Sequence, residues 1–234
     1  MKKINLLLLI VTALFFAQSC VDESGEYVRQ LFTDGQKEAA FTACLTTSSD
    51  SAMAHLCVPN GYSQYQEGAY MIDFNPLQTS VFQTLIDNNY GYLVDSMILL
   101  SNRVAENCSP TIMRPIFKEA ISNLKFYDHD NLINGGTDVI TNYFIRFKDA
   151  DMKSAMQSPV SIRMNLFGVN DCWNQIVAQY YQFEGQPVSF DVQNYLIEKM
   201  LDGLYEEMRV EELNIRSDYS HCESADSLLF GAGF

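Results

Sequence analysis

Positive charge is what this chain has least of. Its 234 residues carry 15 Lys and Arg against 29 Asp and Glu, a net charge of −14, with 3 His beside them. That balance excludes an ordinary nucleic-acid binder, which needs a basic footprint, and argues against recognition of anionic headgroups through basic clusters. Catalytic signatures are missing too. There is no G-x-S-x-G, no HExxH, no phosphate-binding glycine loop and no G-x-G-x-x-G. The six cysteines form no CxxC, which removes the usual redox and zinc-ribbon readings. No apolar run after the N-terminal one approaches the ~18 residues of a membrane span. With 47% hydrophobic and 12% aromatic residues, the chain is not a disordered tail either.

What is present begins at the N-terminus, with MKKINLLLLIVTALFFAQSC. Lys2 and Lys3 form a charged head, Leu6 to Ala17 an apolar core, and Ala17-Gln18-Ser19 a run of mostly small residues before Cys20. This order predicts a lipoprotein signal covering residues 1–19, with lipid attached to Cys20. The alternative is an ordinary secretory signal cut after Ala17, leaving Cys20 a plain thiol; the register of head, core and cysteine favours the lipid. Residues 20–26 then form a lipid-anchored tether, and 27–234 a single domain. Loss of Lys2 and Lys3 moves the net charge from −14 to −16. Asp22 and Glu23, just after the cysteine, leave two orientations open: the cell surface, or the periplasmic face of the outer membrane. The remaining thiols, Cys44, Cys57, Cys108, Cys172 and Cys222, are odd in number and scattered in apolar segments, so small buried hydrophobes are expected for most of them.

Helical periodicity dominates the rest. An Ala-rich helix is expected from Tyr27 to about Cys57, broken over Thr46–Ser51. Between Val58 and Pro76, the glycines, prolines and the alternation of Tyr70, Ile72 and Phe74 predict a small hairpin or extended excursion. Gln78–Asn88 is short and amphipathic. Along Gly91–Cys108 the residues Leu93, Val94, Met97, Ile98, Val104 and Ala105 share one arc, with Asp95, Asn102, Arg103 and Glu106 opposite. Pro110 opens a helix that Pro115 kinks or restarts. After the Asn134-Gly135-Gly136 breaker, Thr137 is expected to cap a helix through Phe147. Segments 149–166 and 169–183 follow. Asp191 then opens the longest helix, with Leu196, Met200, Leu204 and Met208 in one row. Gly203 inside it suggests close approach by another helix. The fold class expected is mainly α, a compact single-domain helical bundle with one extended or hairpin excursion near 58–76.

Several short blocks in fixed order carry a resemblance. They are GQKEAA at 35–40, SNRVAE at 101–106, PIFKEAI at 115–121, LINGGTDVITNYF at 132–144, YLIEKMLDGLY at 195–205 and EELNIR at 211–216. Together they are similar to an uncharacterised bacterial family of exported or lipid-anchored proteins, domain of unknown function 4197. The resemblance runs from about Gly35 to the C-terminus, departs over 45–75, and implies a mostly helical fold. It implies no reaction.

Candidate sites follow from the residues. Asn102, Arg103 and Glu106 lie three or four apart on one helix face. They form either a polar cleft, with Arg103 clamping a carboxylate and Glu106 orienting it, or an Arg–Glu pair plus Asn that fixes one helix against another, with Asp202 or the 211–212 acids. The second is favoured. Tyr143 and Tyr195 are either slot-lining aromatics or core. The acids Glu198, Asp202, Glu206, Glu207, Glu211 and Glu212, interspersed with Arg209 and Arg216, are read as a solvated, self-paired face. No Glu-x-x-His accompanies them, so no di-iron site is expected. Asp128-His129-Asp130 has Ile133 and Val139 where a calcium loop needs Gly and Glu. No cofactor, metal or catalytic residue is expected. The leading expectation is a non-enzymatic lipid-anchored envelope module for binding or assembly. The alternatives are a hydrolase or small-ligand carrier using a cleft around Arg103 and Glu106. Expected partners are the membrane, through Cys20, and an envelope protein.

Overall fold

The computed structural model describes residues 32–108 and 110–232. The signal and tether expected at 1–26, Cys20 with them, lie outside the described residues. From Asp34 on, the described residues form one compact unit. Its long helices are α1 (Asp34–Leu56), α2 (Gly91–Glu106), α3 (Pro110–Ser122), α4 (Val139–Phe167), α5 (Val169–Glu184) and α6 (Val192–Ser217). Among the described residues there is no strand, and no helix is long and apolar enough to cross a membrane.

Helix α6 is the axis of the bundle. Leu196, Met200, Leu204 and Met208 are each fully buried, as their i+4 spacing predicts. Asp191 caps the helix, its carboxylate accepting from the Asn194 amide. The most extensive helix–helix interface joins α6 to α1, and α4 packs on α6 next most closely. Gly203 answers both to the end of α1, where a Cβ would stand 3.4 Å from Cδ1 of Leu56, and to a tyrosine of the short turn that follows. The same Cβ would stand 3.1 Å from Cε1 of Tyr62, whose hydroxyl donates to the Met200 carbonyl at 2.7 Å.

Helix α1 runs unbroken through Thr46–Ser51, where a break was expected. Two of its hydroxyls return to their own helix: Thr46 donates to the Thr42 carbonyl at 2.7 Å and Ser49 to the Thr46 carbonyl at 3.0 Å. The buried stripe of Phe41, Cys44, Leu45, Ala52, Met53 and Leu56 continues past them, although the Ser48 hydroxyl is buried without a partner. Helix α4 likewise fuses the two expected helices into one of 29 residues. Lys148–Asp151 at 3.1 Å and Lys153–Asp149 at 3.0 Å bridge the expected gap. Pro159 lies inside α4, and Pro115 inside α3. Helical turns at Asn75–Leu77, Gln78–Phe82 (a π turn) and Gln83–Asp87 precede α2. All five described cysteines are free thiols, and four are buried. Burial pushes the Cys57 thiol up to about 12 and the Cys108 thiol to about 11, so neither is a thiolate at neutral pH.

The expected hairpin or extended excursion over 58–76 is mostly short helical turns, at Gly61–Gln64 and Tyr65–Gly68, and only residues 71–74 lie outside helix, turn and bend. Ile72 and Phe74 are fully buried while Met71 is exposed, so the period-two alternation sorts the side chains correctly. A side-chain amide stands where a partner strand would. Asn102 accepts from the Ile72 amide at 3.0 Å and donates to the Ile72 carbonyl at 3.0 Å, satisfying both main-chain groups at once.

Candidate functional site

The acids of α6 divide onto different faces. Glu198, Asp202 and Glu206 point outward, with side chains more than half exposed. Glu207, Glu211 and Glu212 are buried, against the expectation of one solvated face. The reason is angular. Glu207 is three residues past Leu204, and Glu211 three past Met208, which puts both on the core arc. That spacing was visible in the sequence.

Glu207 anchors a cluster with His55 from the last turn of α1 and residues of the 65–70 segment. Its Oε2 lies 2.8 Å from His55 Nδ1; its Oε1 accepts from Tyr70 at 2.6 Å and from Gln66 at 3.3 Å. An ionised carboxylate only accepts, so in this contact Nδ1 is the donor. The Tyr65 ring stacks on His55 at 4.9 Å and on Tyr70 at 6.2 Å. Burial, reinforced by donation to Glu207, pushes the Tyr70 phenol well up, so it stays a donor at any physiological pH. The histidine side chain is 43% exposed above a carboxylate that is 2% exposed. The segment above them is bent sharply: Gln66, Glu67 and Gly68 are consecutive left-handed residues, with φ of 48°, 60° and 81°. Such backbone costs about 1–2 kcal/mol per non-glycine residue. One turn along α6, Glu211 repeats the pairing with His221 Nδ1 at 3.1 Å. Among the described residues no group of acids, histidines and cysteines is placed to hold a metal ion.

The residues singled out in the sequence do not converge on one cleft. Asn102 is buried and holds Ile72, as described, while also donating to the Ile98 carbonyl. Glu106 accepts from both the amide and the hydroxyl of Ser63, at 3.2 and 2.8 Å, fastening the Gly61–Gln64 turn. Arg103 is exposed and makes no ion pair with Glu106 or any other described residue. The fastening role favoured for this block therefore belongs to Asn102 and Glu106, and their partner is the 61–72 main chain instead of α6 acids. Tyr143 donates to the Lys125 carbonyl at 2.7 Å. Tyr195 packs on Phe74 and Phe190, its hydroxyl buried without a partner. Asp202 pairs with Lys199 at 3.2 Å and lines an open groove of about 340 Å³ with Asp149, Lys153, Tyr205, Glu206 and Arg209. The cations of that groove are already matched, Lys153 to Asp149 and Arg209 to Glu206.

A second buried polar centre joins the LINGGTDVITNYF and EELNIR blocks. The Glu212 carboxylate accepts from the Ile140 and Thr141 amides at 3.0 and 2.8 Å, capping the N-terminus of α4. Thr137, the expected cap, does not do this. Arg216 pairs with Glu212 through Nε and Nη2, at 3.0 and 2.9 Å. The same guanidinium donates to the Leu132 and Ile133 carbonyls, at the end of the His129–Asn134 helix. Both side chains are fully buried. One ion pair thus closes the end of one helix and the start of the next across the glycine turn.

These features define an all-helical domain whose distinctive polar residues fasten main chain, with one partly exposed His–Glu–Tyr cluster. The chain belongs to the family described as protein of unknown function DUF4197, whose model matches residues 32–229. The match begins just before α1 and ends at Leu229, in the last helical turn, so family and compact unit coincide. No curated protein and no solved structure matches the chain.

Proposed function

We propose that the protein is a lipid-anchored, non-enzymatic module of the bacterial cell envelope. Lipid on Cys20 tethers it to the outer membrane, and a rigid helical domain presents a binding or assembly surface. What supports this reading is the use made of Asn102, Glu106, Glu212 and Arg216. Each of these block residues hydrogen-bonds to main chain of another segment, which stiffens a scaffold. The test is Cys20→Ala in the full chain. The unaltered protein is expected to take up labelled fatty acid and enter the detergent phase; the variant is expected to do neither. A variant that still sediments with membranes and enters detergent would sink the lipid reading.

A second reading rests on His55. A half-exposed imidazole with its Nδ1 held by a buried carboxylate has the form of a general base. If the cluster is hydrolytic, turnover of a panel of activated esters and phosphoesters should fall at least about 100-fold in His55→Gln. Turnover that the substitution leaves unchanged, or none at all, removes this reading.

A further inference from the structure

Aromatic side chains and unpaired cations meet on one face of this acidic protein. Tyr143, Arg146 and Phe147 are i, i+3 and i+4 on α4, and so share one side of it. The Tyr143 and Phe147 rings are 4.6 Å apart, and the Arg146 guanidinium lies 5.5 Å over the Phe147 ring. The chain before the His129–Asn134 helix completes the face. Lys125 is joined to Tyr143 through its carbonyl, and Tyr127 is close enough to bias the Tyr143 phenol. Tyr127 is 74% exposed, the most exposed large hydrophobic side chain among the described residues, and Phe147 is 49% exposed. Lys125 and Arg146 are exposed and enter no ion pair with a described residue. Nearby acids are largely occupied: Asp130 by Lys37 at 2.7 Å and Asp151 by Lys148 at 3.1 Å, which leaves Asp128 at the edge.

The start of the compact unit lies at this same face. In the first turns of α1, Lys37 binds Asp130, Glu38 lies 3.0 Å from His129 Nε2, and Phe41 packs on Phe126 at 5.2 Å. Phe126 in turn stacks under Tyr143 at 5.8 Å. Residues 21–33 separate Cys20 from Asp34. Thirteen residues reach at most about 45 Å. A lipid on Cys20 therefore keeps bilayer within reach of the aromatic face.

We propose that the face formed by Lys125, Tyr127, Tyr143, Arg146 and Phe147 seats the domain on the phospholipid surface that holds its anchor. This rests on reading Cys20 as lipidated. Tyrosine and phenylalanine enter the interfacial layer, where amphipathic rings are favoured, and the two cations meet lipid phosphates. The net charge of −16 left after loss of Lys2 and Lys3 opposes approach of the domain in other orientations. The affinity required is small, because a short tether supplies an effective concentration of about millimolar. The chain's overall acidity thus selects an orientation without forbidding contact.

The experiment uses the full acylated protein on vesicles of phosphatidylethanolamine and phosphatidylglycerol with brominated acyl chains. Trp173, the single tryptophan, is replaced by Phe, and one reporter is introduced at a time: Phe147→Trp, Tyr127→Trp or Leu166→Trp. Leu166 is 72% exposed on α4, about 28 Å along the helix from Phe147, and serves as an internal ruler. The protein is expected to float with the vesicles, with reporters 147 and 127 quenched at least threefold more than reporter 166. Lys125→Glu with Arg146→Glu is expected to keep flotation and the far-UV spectrum while removing most of that difference. Flotation with equal quenching at all three positions, or none at 147 and 127, overturns the docking face and leaves the anchor standing; the face is then open or covered by another protein. Failure to float overturns the anchor reading and this inference together. The two exposed positions, 127 and 147, guard against one reporter disturbing the fold.

Discussion

Replacing Arg216 by methionine is expected to lower the unfolding free energy by about 3–5 kcal/mol, the usual cost of breaking a buried ion pair from one side. The substitution strands the Glu212 carboxylate, which stays on the Ile140 and Thr141 amides without its cation, and orphans the Leu132 and Ile133 carbonyls. For a domain of this size the loss corresponds to a fall of roughly 10 °C or more in Tm. Lysine is not expected to rescue it, because one ammonium cannot follow the planar fork that serves a carboxylate and two carbonyls together. Substituting both Glu212→Gln and Arg216→Met should cost less than the two single losses added, since no charge is then left stranded. Urea unfolding followed by far-UV circular dichroism measures all of these. A loss below about 1 kcal/mol for Arg216→Met would falsify the clamp as a major contributor.

The second large effect is expected at Asn102. Leucine there fits the volume but leaves the Ile72 amide and carbonyl without partners in a buried position. Each stranded group costs about 1–3 kcal/mol, so a total of about 2–6 kcal/mol is expected. The consequence should be local before it is global. With its clasp gone, the 69–74 segment loosens, and Tyr70 is drawn away from Glu207. Hydrogen exchange at the Ile72 amide should accelerate in Asn102→Leu by more than the global stability loss accounts for, and proteolysis near Met71 should begin in otherwise folded protein. Exchange at Ile72 that only tracks global unfolding would show that the segment is held by the burial of Ile72 and Phe74 instead. The coupling matters for the His55 cluster, because Tyr65, Gln66 and Tyr70 reach it from the same stretch of chain.

These two residues also show where sequence reasoning succeeds and where it stops. Apolar periodicity is a local property, and it placed α2, α5 and α6 within a few residues of their observed bounds, together with the i+4 row of α6. Polar residues are harder, because their default reading is exposure. Asn102 was assigned to the outer face of α2, yet its partner is a main-chain unit 30 residues earlier. Glu212 was assigned to a solvated run, yet its partners are amides 71 and 72 residues earlier. No local spacing announces a hydrogen bond to distant backbone. The expected break in α1 failed for a related reason: residues such as Thr46 and Ser49 that disfavour an isolated helix are tolerated where they bond within it beside a continuous packed stripe. The His55 cluster was half legible. Glu207 falls on the core arc by counting alone, but nothing around a single histidine indicates that a carboxylate 152 residues later will hold its ring.

The pairing of α1 with α6, the largest interface in the bundle, has a consequence for how the molecule comes into being. The first helix finds its main partner only in the last long one. The glycine turn before α4 is likewise latched by Glu212 and Arg216, residues made near the end of synthesis. A chain emerging from the ribosome, or threading through a translocation channel, cannot close its core halfway. It remains an open string of marginal helices until nearly all of it is out, and only then folds. A polypeptide that folds late stays thin enough to be threaded, which suits the export proposed above. The same order also makes the C-terminal end a checkpoint. A product cut short before Glu212 lacks the latch, leaves the buried face of α1 partly uncovered, and is a natural target for proteolysis.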